Sequence, residues 1–247
     1  MSEGMLGKLS VGDVSGLMRD LLEKLAGSEG PVFLVEFKKF ITKQPCWVSP
    51  TPTRPAKLAK GKRGKKAIVR DWQRFYQKYF PELTIDLSNV VIPTREGFNR
   101  AIIVAKGLSL NRVLEVCAAH FPVSKSHEDM DAAVPTNERH PASGTYATIC
   151  RDRVEADEEL QNVSAQAHAD AKRATLTLLE RVLYELKYCD ETENHLDLTK
   201  VTLCSGSRSS VGDVPIVDWR GGRLRVCANW YVVRDARPGL RSREAVS

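Results

Sequence analysis

The spacing of apolar positions along the chain changes several times, and each change marks an element. Val14, Leu17, Met18, Leu21, Leu22 and Leu25 recur at helical spacing and predict a first helix over roughly 13–26. Gly27 and Gly30-Pro31 close it. The next apolar run, 32–41, reads as a helix because Phe33, Phe37 and Phe40 lie four and three apart. Trp72, Phe75, Tyr76, Tyr79 and Phe80 form an aromatic stripe at helical spacing, which reads as core packing rather than a base-stacking platform. Residues 83–92 and 101–105 look like strands. Ser109 is positioned to cap a helix carrying Leu110, Val113, Leu114 and Cys117. Residues 123–143 are polar and irregular, and 144–150 reads as a strand. A helix starting at Thr175 or Thr177 presents Leu178, Leu179, Val182, Leu183 and Leu186 as its apolar stripe. His195, read as a local hydrogen-bonding residue, then leads into Leu196, Leu198 and Val201.

The C-terminal pattern has period two. Val214, Val217 and Trp219 are separated by Ile216, Asp218 and Arg220; after Gly221-Gly222, Leu224, Val226, Ala228 and Trp230 alternate with Arg223, Arg225, Cys227 and Asn229. Alternation places one set in a core and the other in water, and a Gly-Gly joint suits a two-residue turn whose central positions both need positive φ. The outward set expected from this register is Ile216, Asp218, Arg220, Arg223, Arg225, Cys227 and Asn229. Tyr231, Val232, Arg234 and Asp235 follow in a loop. These eleven side chains share no chemistry, whereas the inward set is uniformly apolar. Ordered frames with unconstrained outer residues suit ligand binding, and Arg and Tyr are enriched at binding hot spots.

Charge alters this picture in one place. The formal net charge is +6, but residues 37–70 hold eleven Lys or Arg and no Asp or Glu, which leaves −5 for the rest. Within that segment Pro45, Pro50, Pro52 and Pro55 precede a Lys/Gly-rich run, a composition expected of a linker. Arg54, Lys57, Lys60, Lys62, Arg63, Lys65, Lys66 and Arg70 make it a candidate phosphate contact. The six cysteines (46, 117, 150, 189, 204 and 227) lack paired spacing and read as free thiols. Cys117, His120 and His127 are the nearest approach to a zinc cluster, but no C-x-x-C accompanies them. The charged stretch 151–160 has consecutive rather than convergent carboxylates and reads as an ion-paired turn. No catalytic residue, metal site or cofactor motif emerges. No run of eighteen apolar residues exists and no secretory signal is evident, so a cytoplasmic protein without membrane contact is expected.

Several blocks carry a resemblance: RDRVEADEEL (151–160), TLLERVLYELKY (177–188), HLDLTKVTLCSGSR (195–208), VPIVDW (214–219) and LRSREAVS (240–247). They resemble an uncharacterised, highly paralogous bacterial family. DWQRFYQKYF (71–80) and EGFNRAIIVAKGLSLNRVLEVCAAHFP (96–122) are similar to that family's central part. No function comes with it. More loosely, Gly206-Ser207-Arg208, Trp219, Trp230 and Gly239-Leu240-Arg241 resemble the order found in C-type-lectin-like variable proteins of diversity-generating retroelements. That family's RLPTEAEWE-like helix is not evident, and Leu178 to Leu186 would take its place. This resemblance implies a C-terminal cassette mutated at adenine positions, whose side chains bind varied ligands.

The resulting expectation is an α+β chain: an N-terminal helical segment (1–43), a basic Pro/Lys-rich linker (44–66), a small α+β unit (67–139) and a lectin-like display domain with a β-hairpin (140–247). The leading function is non-enzymatic binding of a protein or glycan ligand at the C-terminal surface. The alternative is a nucleic-acid-associated protein acting through 54–70. A third reading, implied by lectin-like enzymes that oxidise a substrate thiol, would use Cys204 and Cys227. The oligomeric state is left open.

Overall fold

The computed structural model describes residues 11–27, 30–42 and 64–247. It divides into two compact units, Met1–Lys57 and Leu58–Ser247. In the first, α1 (Val11–Ala26) and α2 (Gly30–Ile41) pack as a helical hairpin, both at the places the apolar spacing predicts. Of the basic linker, residues 44–63 lie outside the described residues.

The second unit is α+β. Its helices are α3 (Lys65–Tyr79), α4 (Leu110–His120), α5 (Met130–Ala133), α6 (Ala165–Asp170) and α7 (Leu178–Thr192). Strand β1 (Arg100–Val104) pairs antiparallel with β4 (Tyr146–Cys150). A five-stranded sheet has the order β2 (Val123–Lys125), β8 (Arg223–Tyr231), β7 (Val214–Arg220), β5 (Val201–Leu203), β9 (Leu240–Arg241). Its outer pairs, β2–β8 and β5–β9, are parallel and its inner ones antiparallel. Two short strands, β3 (Thr136–Asn137) and β6 (Ser207–Arg208), form a separate pair.

The expected boundary between 139 and 140 falls inside one core. β1 pairs with β4, β2 with β8 and β3 with β6, each joining a strand before residue 140 to one after it. A single apolar cluster runs from Trp72 through Ile103 and Leu183 to Val226 and Ala245. The aromatic stripe of α3 faces this core, where the Trp72 indole N–H donates to the Ala101 carbonyl (3.2 Å) and the Tyr76 hydroxyl to that of Ile103 (2.7 Å). Residues 83–92 are not a strand. The Asp86 carboxylate accepts from the Ser88 N–H (2.8 Å), closing a local turn, and only Leu87 and Ile92 of this segment are buried.

Helix α7 is the axis. Thr177 caps it with a complete capping box: its hydroxyl accepts from the Glu180 N–H, and the Glu180 carboxylate accepts from its own. Every residue from Leu178 to Tyr188 is buried, polar ones included. Amphipathic spacing predicts one wet face, yet here that face is covered and its charges are paired. Glu180 holds Arg139 (2.7 Å), Lys187 lies 3.1 Å from both Asp71 and Glu191, and Arg181 meets Glu185 (2.8 Å) and Asp197 (2.8 Å).

Asp197 is the meeting point. Its carboxylate also receives Arg243 (2.7 Å), the Ala156 N–H (2.9 Å) and the Thr202 hydroxyl, and its carbonyl accepts from the Trp219 N–H (3.1 Å). Arg243 further donates to the carbonyls of Arg153 (2.9 Å) and Val154 (2.7 Å). Burial pushes the Asp197 carboxyl up, but Arg243 and Arg181 outweigh that and hold it below the usual range. One fully buried carboxylate thereby joins α7, β5, the hairpin and the C-terminal tail. Replacing it uncovers two buried guanidinium groups, so Asp197→Asn is expected to lower the unfolding free energy by roughly 3–5 kcal/mol in urea titration.

Candidate functional site

The hairpin forms as the alternation requires. β7 and β8 run antiparallel, and Gly221 (φ 60°) and Gly222 (φ 72°) make the turn in the left-handed region. Val217, Leu224, Val226 and Ala228 are buried in the main core, and Trp219 is half-buried against it. The Trp219 indole stacks flat on the His195 imidazole (3.3 Å between centroids, 6° between planes), with the Phe121 edge against it. His195 is a local partner, its Nδ1 lying 2.9 Å from a Glu185 oxygen. The side chain of Trp230 lies outside the described residues.

The outer face differs from expectation in one respect: part of it is covered. The alternation places Ile216, Asp218 and Cys227 at the surface, but all three are buried. Helix α6 lies over this end of the sheet, anchored by the Gln166 N–H donating to the Val233 carbonyl (2.8 Å). Ala165, Leu203, Val214, Ile216 and Cys227 make a second, smaller core beneath it, with Val201, Tyr231 and Val233 at its edge. Val214 belongs there rather than to the main core, because the ladder shifts register between Val214 and Ile216. Asp218 is buried through its ion pair with Arg225, two bonds of 2.8 and 2.6 Å.

The remaining residues of the set form two groups. At the tip are exposed Arg220 and Arg223, beside the half-buried Arg225. At the base are exposed Asn229, Val232 and Arg234, with half-buried Tyr231 and Asp235. Strand rise puts the two ends of β8 roughly 26 Å apart. The tip holds three arginines against one carboxylate, so it is cationic. The base is shaped by its own contacts: the Asp235 carboxylate accepts from the Val232 N–H (3.0 Å), and Arg237 lies over the Tyr231 ring (5.2 Å). His127, which the sequence offers only as a zinc candidate, is placed on the rim near Asn229 (3.4 Å) by parallel strand β2, a pairing that spans about a hundred residues. Arg241, the second residue of β9, is half-buried and donates to Gln161 at the surface (2.7 Å), whereas Arg243, just beyond the strand, is buried in the Asp197 cluster.

Other candidate chemistry is not assembled. Cys117 is buried in the main core while His120 packs edge-on against Tyr79, and no group of three His, Cys, Asp or Glu among the described residues is arranged to hold a metal. Cys204 lies in the main core and Cys227 in the smaller one. Burial pushes the Cys204 thiol up to about 12 and raises that of Cys227, so neither supplies a ready thiolate. Of the basic segment, Lys65, Lys66 and Arg70 stand exposed on the first turns of α3; Arg54, Lys57, Lys60, Lys62 and Arg63 lie outside the described residues. A cleft of about 340 Å³ opens at the start of α4. Its charged groups are engaged within the protein: Asp131 accepts from the Leu110 and Asn111 N–H groups (2.8 and 2.9 Å), and Arg139 is bound to Glu180.

The division into covered and open positions is testable. Arg223→Glu and Arg234→Glu are expected to change stability by no more than about 0.5 kcal/mol, whereas Ile216→Asp, which buries an unpaired charge, costs about 3 kcal/mol or more in the same denaturation assay.

Helix α6 also responds to acid. His168 is buried in it, and desolvation, with Arg173 beside it, lowers its pKa to about 4. The unfolded chain, with an ordinary value of about 6.5, therefore binds the extra proton first. Stability from neutral His168 is present above about pH 6.5 and lost as the pH falls towards 4, by up to roughly 3 kcal/mol. Urea midpoints of His168→Phe are expected to fall less than those of the parent between these limits.

Compared with known proteins, the chain matches no family model, no curated protein and no solved structure.

Proposed function

We propose that this protein is a non-enzymatic binding protein whose C-terminal hairpin and adjoining loop present a variable surface to a protein or glycan ligand. The observation that carries the reading is the separation of roles along one hairpin. Ile216, Asp218 and Cys227 are held by packing or ion pairing, while Arg220, Arg223, Asn229, Val232 and Arg234 stand in solvent on the same two strands and loop. Substitution at the second group leaves the frame intact, which is the physical requirement for diversification.

A lectin-like ground plan is supported by the closure of the C-terminal region. Ile149 of β4 and Val246 exchange two backbone hydrogen bonds (2.8 and 2.9 Å), bringing the first strand of that region and the chain's last residues together. On this reading the variation would come from what the sequence resemblance to retroelement-diversified proteins implies, adenine-directed mutation of the encoding cassette.

Sequencing closely related copies of the gene, with the DNA downstream, tests this. Substitutions are expected to gather at Arg220, Arg223, Asn229, Val232 and Arg234 and to spare Ile216, Asp218 and Cys227, with a near-identical template repeat nearby. Substitutions spread evenly over 140–247, with no repeat, would overturn it.

A further inference from the structure

The helical hairpin 11–42 has more apolar surface than it can bury. Helix α2, GPVFLVEFKKFI, carries only three charged residues, Glu36, Lys38 and Lys39. A helix apolar on nearly all sides persists in water only when something covers it. α1 covers part: Lys24 lies over the Phe33 ring (5.8 Å), and Gly30 sits so close to α1 that a Cβ there would fall 2.1 Å from the Leu25 carbonyl oxygen. Met18 and Leu22, one turn apart on α1, remain open, as do Leu34, Val35, Phe40 and Ile41 on α2, each between 41% and 63% exposed. Leu34 and Ile41, seven apart, share a face.

We infer that this face is a self-association surface whose occupant is the same hairpin of a second copy of the chain. Three observations favour that occupant. The exposed side chains amount to roughly 600 Å² per copy, so pairing two hairpins removes at most roughly 1,200 Å², near the lower bound of a specific interface. Two-fold pairing of a two-helix hairpin gives a four-helix bundle, an isologous arrangement in which each patch meets its own copy. The net charges are opposite in sign: α1 holds three acidic and two basic residues and α2 one acidic and two basic, so α1 of one copy against α2 of the other opposes −1 to +1. A lipid surface suits α1 poorly, because Asp13, Asp20 and Glu23 outnumber Arg19 and Lys24, whereas surface-lying helices have a basic polar face.

The full-length chain is the material for the test. Sedimentation equilibrium from about 1 to about 100 µM is expected to show association towards twice the chain mass of 27.5 kDa. The L22E/I41E variant should weaken it by roughly 100-fold or more, because it places charges in the dry seam. Should that variant lose its helices, hydrogen exchange of the parent decides: protection within 11–42 that rises with concentration supports the proposal. Several results would overturn it: a mass of one chain throughout, a dimer untouched by the substitutions, concentration-independent protection, or co-sedimentation of the parent chain with anionic vesicles without a dimer.

Discussion

The Asp197 carboxylate, fully buried between two guanidinium groups, is the constraint on which the C-terminal architecture depends. Its partners come from residues 156, 181, 202 and 243, segments that are far apart in sequence. Burial of ions is costly, and pairs of this kind are seldom net sources of stability when compared with apolar replacements. Their contribution is geometric. Most of the cluster's lone pairs and N–H groups find partners in the low-dielectric interior, and those partners come from α7, β5 and the tail together, which ties these elements to one another. The hairpin inherits this order through the hydrogen bond from Trp219 to the Asp197 carbonyl and the stacking of Trp219 on His195, itself held by Glu185.

A rigid base allows the hairpin to be permissive elsewhere. Its inward residues are fixed by packing, and its outer face is fixed at one end by α6 and just behind the tip by Asp218 with Arg225. What stays open is the tip and the base, two patches rather than one. A single ligand spanning both would need an elongated footprint; one lying on either patch would be met by a cationic tip or by a mixed loop containing Tyr231 and Arg237. The His168 side chain lies within α6, so acid acts on the cover of the sheet rather than on the open residues themselves.

Local rules were enough wherever neighbouring residues decide conformation. The caps at Ser109 and Thr177, the helical spacing of α1, α2, α3 and α7, and the Gly-Gly turn of the hairpin all follow from interactions within about four residues. The aromatic stripe of α3 was legible as core because five large rings at helical spacing have no other inexpensive place. Residues 83–92 misled because β-like composition forms a strand only beside another strand, and here Asp86 closes a turn instead.

What the sequence alone determined is the longer helices, the free thiols among the described cysteines, and the existence of an alternating hairpin, since all rest on chemistry near in chain; the short elements β2, α5, β3 and α6 depend on distant partners. Tertiary structure decided which faces are wet. The second face of α7 looked solvated, but its counter-ions Arg139, Asp197 and Asp71 arrive from distant segments and bury it. Ile216 and Cys227 looked displayed, but the bulge beside Pro215 and the arrival of α6 make a second core there. Alternation reports that a strand has two faces; only the neighbours brought by folding determine how many of them are dry.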